Sequence, residues 1–152
     1  MKVLKNLKVF GVAFVMVFWL LAPVVVNADV DDDINITIMG WPVEFYDQGP
    51  IMVDGVLLTP VRAVFEMLDF NVYWDSGAER VILSNYNYVI VITIGSNEFT
   101  IGDEIFTFDV PAQIIGDRTL VPIRTLLEGI EMNVRWLVAT QILSIEFRPI
   151  AG

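Results

Sequence analysis

Two stretches of the chain, LLTPVRAVFEMLDFNVYW at residues 57–74 and TLVPIRTLLEGIEMNVRW at residues 119–136, are versions of one another and decide the fold. They belong to a longer internal repeat, in which residues 36–83 align with residues 98–145 at a constant offset of 62 without a gap. Nine positions are identical in the two copies, and most are residue types found at turns, helix starts and cores. In the first copy they are Gly40, Asp47, Leu58, Pro60, Arg62, Glu66, Asn71, Val72 and Trp74. The sequence therefore predicts a scaffold built by duplication of one unit.

One amphipathic helix is predicted in each copy. Thr59-Pro60 offers an N-cap followed by the residue favoured at the first helical position. Apolar residues then recur at i, i+3, i+4 and i+7, the spacing of a helix face that packs on a core. They are Val61, Val64, Phe65 and Leu68 in the first copy and Ile123, Leu126, Leu127 and Ile130 in the second. The opposite, solvated faces carry Arg62, Glu66 and Asp69, and Arg124, Glu128 and Glu131.

Strand and turn patterns surround each helix. Alternating residues after each helix predict a half-covered strand, then a turn, then a second strand. The predicted inward residues are Val72, Trp74, Val81 and Leu83 in one copy and Val134, Trp136, Leu143 and Ile145 in the other. Asp54-Gly55 and Gly116-Asp117 predict hairpin turns before the helices. The continuously apolar run at residues 89–94 predicts a central strand covered on both faces that joins the halves.

The predicted fold class is α+β, with mostly antiparallel strands and one helix per repeat. Two halves of about fifty residues would each be marginal alone, because so little of their surface can be buried. We therefore expect the halves to be fused into one domain over residues 36–147.

The beginning of the chain has the pattern of a secretory signal peptide over residues 1–28. Three lysines precede an apolar stretch at residues 9–21, and short side chains at residues 26–28 fit a cleavage site. Residues 29–35 then form an acidic N-terminal tail. An uncleaved membrane anchor is the alternative, because the apolar stretch can be counted through Val26. The prediction is a secreted or wall-associated protein that meets the membrane only if this segment is retained.

Charge and composition exclude several function classes. All 19 acidic residues and all six arginines follow residue 28, so the mature chain carries 6 − 19 = −13. A surface this acidic repels phosphate backbones, which predicts no nucleic-acid partner. The chain has no Cys, which fits an exported protein without disulfides and excludes thiol nucleophiles and thiolate metal sites.

A family resemblance follows from these residues. A Gly turn, then VPAQIIGDRTLVPIRTLLEGIEMNVRW at residues 110–136, then a short closing strand resembles the copper amine oxidase N-terminal-like domain, also called a stalk domain. The likeness covers residues 36–147. It implies an α+β module with a sheet curled against helices, an accessory part of extracellular or wall-associated proteins of Gram-positive bacteria. It does not imply amine oxidation.

The residues themselves argue against a cofactor and against catalysis. Copper bound as in an amine oxidase needs imidazole ligands, and the chain has no His, so neither a metal nor a quinone at Tyr86 is predicted. Asp75-Ser76-Gly77 matches the triplet of aspartic proteases. A functional pair would need two carboxylates sharing a proton in a buried cleft, whereas this triplet follows a strand as a turn. A carboxylate-based hydrolase using Asp75 is kept as an alternative function.

Two features remain as candidate sites. Arg62 with Glu66 and Arg124 with Glu128 lie at i and i+4, either as structural pairs, each guanidinium satisfying strand carbonyls or carboxylates across the repeat, or as recognition sites for an anionic group. Leu137 and Val138 occupy a turn where solvent is expected, so that turn is covered by the other half or contacts a partner. The aromatic side chains Tyr46, Tyr73, Tyr86 and Tyr88 are expected to be half-buried on strands.

The predicted function is a non-catalytic structural or binding module of the bacterial cell envelope. Its expected partner is a cell-wall polymer or an extracellular protein. Besides the Asp75 hydrolase, a spacer or remnant of a larger extracellular protein is the other alternative.

Overall fold

The computed structural model describes residues 34–149, which form thirteen strands and two short helices. The predicted signal peptide and residues 29–33 of the predicted tail lie outside this range. The elements are β1 (Asn35–Ile38), β2 (Trp41–Pro42), β3 (Ile51–Val53), β4 (Val56–Pro60), α1 (Val61–Met67), β5 (Asn71–Asp75), β6 (Arg80–Ser84), β7 (Val89–Thr93), β8 (Glu98–Ile101), β9 (Glu104–Thr107), β10 (Gln113–Ile115), β11 (Arg118–Pro122), α2 (Ile123–Gly129), β12 (Met132–Leu137) and β13 (Ile142–Phe147).

The strands form three sheets. The five-stranded sheet has the order β5-β6-β7-β8-β9, the central sheet β10-β11-β4-β3 and the terminal sheet β12-β13-β1-β2. Every pairing is antiparallel except that of β1 with β13. The predicted α+β class with mostly antiparallel strands is confirmed.

The central sheet joins the two halves through their hairpins. Its register places Thr59 of β4 opposite Val121 of β11, two residues that are 62 apart in the chain. Both hairpin turns have two residues of positive φ, at Asp54-Gly55 (50° and 78°) and Gly116-Asp117 (56° and 60°). Such a pair of positive φ angles is that of a type I′ turn, whose twist matches the flanking strands. The two predicted hairpins are confirmed.

The two outer sheets each mix strands from both halves. In the five-stranded sheet, β5 and β6 of the first half are joined to β8 and β9 of the second through β7. In the terminal sheet, the hairpin β12–β13 of the second half is joined to the hairpin β1–β2 of the first by the pairing of β13 with β1. The two halves are therefore interleaved, and each outer sheet contains strands from both of them.

The constant offset of 62 fails in the first hairpin of each half. The β1–β2 turn is Met39-Gly40, whereas the β8–β9 turn is Gly102-Asp103, which is 63 residues later. The buried Ile36 accordingly corresponds to the buried Phe99, and not to the exposed Glu98. Strand side chains alternate between two faces, so a slip of one residue would turn every inward side chain outward. The ungapped alignment is wrong in this hairpin.

The helices begin one residue later than predicted, and they lack the predicted cap. Pro60 and Pro122 are the residues before the first helical turn, and neither helix has a side-chain cap hydrogen bond. Thr59 instead lies in β4, where it is fully buried and its Oγ1 has no hydrogen-bond partner among the described residues. The N-cap prediction is wrong because the strand β4 continues to Pro60, directly against the helix.

Each helix ends in a left-handed residue that is not glycine. Asp69 and Glu131 both have φ of 63° and lie beyond the last helical residues, so they are not on the solvated helix faces as predicted. The amide of Phe70 donates to the carbonyl of Phe65 at 2.9 Å, and the two rings meet edge to face at 5.0 Å. This is a Schellman ending with its usual apolar contact.

The main core is a single cluster of buried side chains contributed by both halves and both helices. It contains the predicted helix stripes and the predicted inward residues Val81, Leu83, Leu143 and Ile145, which confirms those faces. The strand β7 differs from the prediction, because only Ile90 and Ile92 are buried while Val89 is 50% exposed. Coverage on both faces is wrong, since burial alternates along the strand and Val91 is only partly buried. Trp74 also remains 36% exposed.

Candidate binding surfaces

The two predicted arginine–glutamate pairs are present on the helix surfaces. Arg62 Nη1 lies 2.8 Å from Glu66 Oε1, and Arg124 Nη1 lies 3.7 Å from Glu128 Oε1. All four side chains are about half exposed. Exposed pairs at this spacing contribute only about 0.3–0.5 kcal/mol. The pairs stabilise each helix slightly and leave the guanidinium groups accessible to solvent.

These arginines border two grooves that occupy equivalent places in the two halves. The first, of about 370 Å³, is lined by Pro60, Arg62, Trp74, Ile114 and Arg118 among others. The second, of about 540 Å³, is lined by Pro122, Arg124, Trp136, Met52 and Val56 among others. Each residue of the first list matches one of the second at a spacing of 62. Three of the identical positions of the repeat, Pro, Arg and Trp, therefore meet in each groove.

The two grooves differ in the hairpin that the other half contributes. In the first groove this hairpin is β10–β11, which provides Asp117 and Arg118. In the second it is β3–β4, where Val56 stands in the place of Arg118. The first groove is therefore charged and the second is largely apolar, although the helix and strand contributions are the same.

Arg118 of the charged groove forms an ion pair that the sequence did not indicate. Arg118 Nε donates to Asp47 Oδ1 at 3.2 Å, and Arg118 Nη2 also contacts Asp47 Oδ2. The hydrogen bond from Arg118 holds the pKa of the Asp47 carboxyl below its usual range. The two residues are 71 positions apart, so no local pattern could have indicated the contact; only the identity of Asp47 and Asp109 in the repeat drew attention to Asp47.

Leu137 and Val138 are exposed, at 45% and 72%. Leu137 ends β12 and Val138 lies in the turn that follows, so the expectation that the other half covers this turn is wrong. The loop is free because β12 is the edge strand of the terminal sheet. The other interpretation, that this turn contacts a partner, stays a prediction.

Asp75 has the surroundings of a turn residue. Its Oδ1 accepts from the amides of Gly77 at 3.1 Å and Ala78 at 3.3 Å, and its Oδ2 accepts from Arg80 Nε at 2.9 Å. The hydrogen bond from Arg80 is the main cause that lowers the pKa of this carboxyl. A carboxyl that works in a proton-sharing pair needs a second carboxyl beside it. The turn interpretation is confirmed, and the contacts give no support to catalysis at Asp75.

The remaining predictions concern the tyrosines, a metal site and a membrane-spanning helix. Tyr46, Tyr73 and Tyr86 are 95%, 63% and 102% exposed, so the expectation of half-buried strand aromatics is wrong for these three. Across residues 34–149 no three His, Cys, Asp or Glu side chains lie together in a way that could hold a metal ion. The chain has no His in any case, so its donor groups do not fit a copper centre. Among the described helices none has the length and apolar character needed to cross a membrane.

The five-stranded sheet has one face in the core, and among residues 34–149 the apolar side chains of its other face pack on neither core cluster. On the inner side lie Val81, Leu83, Ile90, Ile92 and Phe99, all buried. On the outer side Tyr73 is 63% and Ile105 is 68% exposed. The sequence predicted the alternation of buried and exposed residues only in part. The run at residues 89–94 is apolar throughout, so its pattern does not distinguish the inner face of the strand from the outer one.

Comparison with known proteins agrees with the resemblance. No curated protein matches the chain with significance. The profile of the copper amine oxidase N-terminal domain matches residues 37–145, which is most of the chain and nearly all of the described fold. The chain therefore belongs to the copper amine oxidase N-terminal domain family.

Proposed function

We propose that this protein is a non-catalytic binding or structural module of the bacterial cell envelope, exported by the segment at residues 1–28. The observation that carries the proposal is the meeting of repeated Pro, Arg and Trp residues in two solvent-open grooves. In each groove an exposed arginine lies beside a tryptophan ring, an arrangement that suits binding. The domain that names the family is itself a non-catalytic part of its enzymes, which supports the same function.

The proposed partner is a wall polymer or an extracellular protein, recognised at the grooves. Arg62 and Arg124 offer donors to a carboxylate or phosphate, and the neighbouring indole rings offer flat apolar surface. The charge of −13 on the mature chain disfavours polyanions in general, so an anionic group must be met locally at these arginines.

We also infer that the two halves descend from one duplicated unit. The support is that β3, β4, α1, β5 and β6 recur as β10, β11, α2, β12 and β13 at a spacing close to 62. The one-residue shift in the first hairpin is then a later change in one copy.

Co-sedimentation with purified wall material tests the function. Residues 29–152 should pellet with the material, and Arg62→Ala with Arg124→Ala should reduce the bound fraction several-fold. Arg135→Ala is the matched control, because Arg135 is also an exposed, ion-paired arginine but lies away from the grooves. The supernatant is assayed for released sugars and peptides. Release that disappears in Asp75→Asn would replace this proposal by the hydrolase.

A further inference from the structure

We propose that two copies of this chain associate through the outer face of the five-stranded sheet, as a weak symmetric dimer. The surface is defined by two rows of side chains that cross all five strands. The apolar row is Tyr73, Ile82, Val91, Thr100 and Ile105, and the charged row is Asp75, Arg80, Thr93, Glu98 and Thr107. This interaction is separate from the grooves and does not depend on the proposed function.

The apolar row lies outside the core of its own molecule. Tyr73 and Ile105, at its two ends, are 63% and 68% exposed, and Ile82 and Val91 between them are half-buried. Ile82, Val91 and Ile105 are absent from the side chains packed on either core cluster of residues 34–149. A continuous uncharged row of this kind is typical of an interaction site.

The charge on this face indicates what covers it. The mature chain carries −13, yet the two rows contain only Asp75, Arg80 and Glu98 as charged residues, a sum of −1. Repulsion between two copies that meet through these faces is therefore much smaller than the total charge of the chain would suggest. Arg80 donates a hydrogen bond from Nε to Asp75, and the N–H groups on its two Nη atoms can donate to another carboxylate.

The strand order supplies that carboxylate from a second copy. A two-fold axis parallel to the strands and running over β7 places β6 of one copy over β8 of the other, and β5 over β9. Arg80 then faces Glu98 of the second copy, twice by symmetry, while Tyr73 faces Ile105 and Val91 faces Val91. Stacked sheets lie about 10 Å apart with strands within about 30° of each other, which suits contacts between side chains of this length.

The small size of the face limits the affinity of the dimer. Five strands spaced about 4.8 Å apart and about five residues long cover about 400 Å² on each copy. Such an interface is smaller than the roughly 800 Å² per partner of stable complexes, so we expect a dissociation constant on the order of 100 µM.

Analytical ultracentrifugation of residues 29–152, from about 5 µM to about 1 mM in physiological salt, measures the association. The wild-type protein should sediment as a monomer at the low end and approach the dimer at the high end. Val91→Glu places two like charges on the symmetry axis and should raise the dissociation constant at least tenfold. Val138→Glu, at an exposed apolar residue outside this face, should leave the dissociation constant unchanged.

A mixing experiment tests the arrangement itself. Arg80→Glu and Glu98→Arg should each remain monomeric at concentrations where the wild type dimerises. In the first variant two carboxylates face each other across the interface, and in the second two guanidinium groups do. An equimolar mixture of the two should dimerise, since both cross-contacts then join opposite charges. Circular dichroism confirms that each variant is folded. A wild type that stays monomeric at 1 mM, a Val91→Glu protein that dimerises normally, or a mixture that does not associate would overturn the proposal.

Discussion

Thr59 is the residue at which the two halves differ with the clearest energetic consequence. It faces Val121 across the central sheet, and both side chains are completely buried. Val121 fills its position with methyl groups, whereas the Thr59 hydroxyl has no hydrogen-bond partner in the described chain. A buried polar group without a partner costs about 1–3 kcal/mol. The first half therefore carries a defect that the second half lacks.

Replacing Thr59 by Val should stabilise the protein by about 1–2 kcal/mol, because the substitution keeps the shape and removes the unpaired hydroxyl. The free energy of unfolding from urea titration of residues 29–152 is the measurement. The reverse change, Val121→Thr, is the matched control and should destabilise by a similar amount. Destabilisation by Thr59→Val as well as by Val121→Thr would show that the Thr59 hydroxyl finds a partner.

Asp47 and Asp75 make stability depend on pH in the acid range. Arg118 lowers the pKa of Asp47 and Arg80 that of Asp75, so both carboxyls are more acidic folded than unfolded. Their stabilisation is complete above the unfolded pKa and is lost as pH falls through the folded pKa, that is, below about pH 4. The difference in unfolding free energy between wild type and the Asp47→Asn, Asp75→Asn variant should narrow below that pH. A difference that stays constant down to pH 2.5 would contradict this.

At the scale of the element, the residues that follow the two helices are strained, and replacing them can stabilise the protein. Asp69 and Glu131 follow their helices with a left-handed backbone, a conformation that costs most residues about 1 kcal/mol or more and that glycine adopts freely. Asp tolerates this conformation better than Glu. The two ends are therefore unequal in strain although their backbones are alike.

Glu131→Gly should stabilise the protein by about 0.5–1 kcal/mol, and Asp69→Gly should give a smaller gain. Thermal unfolding followed by circular dichroism compares them, with Glu128→Gly as a control inside α2. That control should destabilise, because glycine in a helix interior costs about 1 kcal/mol. A loss of stability in Glu131→Gly would mean that the Glu131 side chain has a stabilising contact.

Local elements were largely predictable from the sequence, and their errors share one cause. The two helices and the Asp54-Gly55 and Gly116-Asp117 turns follow from spacing and turn chemistry, which act over a few residues. The N-cap at Thr59 and the double coverage of β7 were wrong because they depend on what lies next to the element in space. The repeat alignment failed at Gly40 and Gly102 for a related reason, since a matching glycine letter outweighed the alternation of strand faces.

At the scale of the whole molecule, the two halves share one main core and two mixed sheets. Val64 and Phe65 of α1 lie in the same buried cluster as Leu126 and Leu127 of α2. Neither half can bury its apolar residues without the other, so unfolding should be a single cooperative event.

We expect calorimetry of residues 29–152 to show one transition whose van't Hoff and calorimetric enthalpies agree. Leu126→Ala in the second half should lower the stability by about 2–5 kcal/mol and keep that transition single. Two resolved transitions, with only one shifted by Leu126→Ala, would show that the halves fold independently.

The candidate surfaces were less predictable than the fold, because they depend on which hairpin meets which strand. Arg62 and Arg124 were foreseen as notable, but the grooves beside them are completed by hairpins from the opposite half. The outer rows of the five-stranded sheet exist only once β7 lies between β6 and β8. The sequence contains the residues of these surfaces, whereas their neighbours are fixed by strand order.

The parallel pairing of β1 with β13 has a consequence for how the protein matures. These strands come from the start and the end of the described fold, and Asn35–Ile38 meets Ile142–Ile145 directly. A nascent chain leaving the ribosome cannot complete this terminal sheet until almost all of the described fold has emerged. Contacts this distant in sequence are also slow to form, so folding in milliseconds to seconds is expected. The strands β1 and β2 therefore remain without their partner strand β13 until the last part of the described fold has been made.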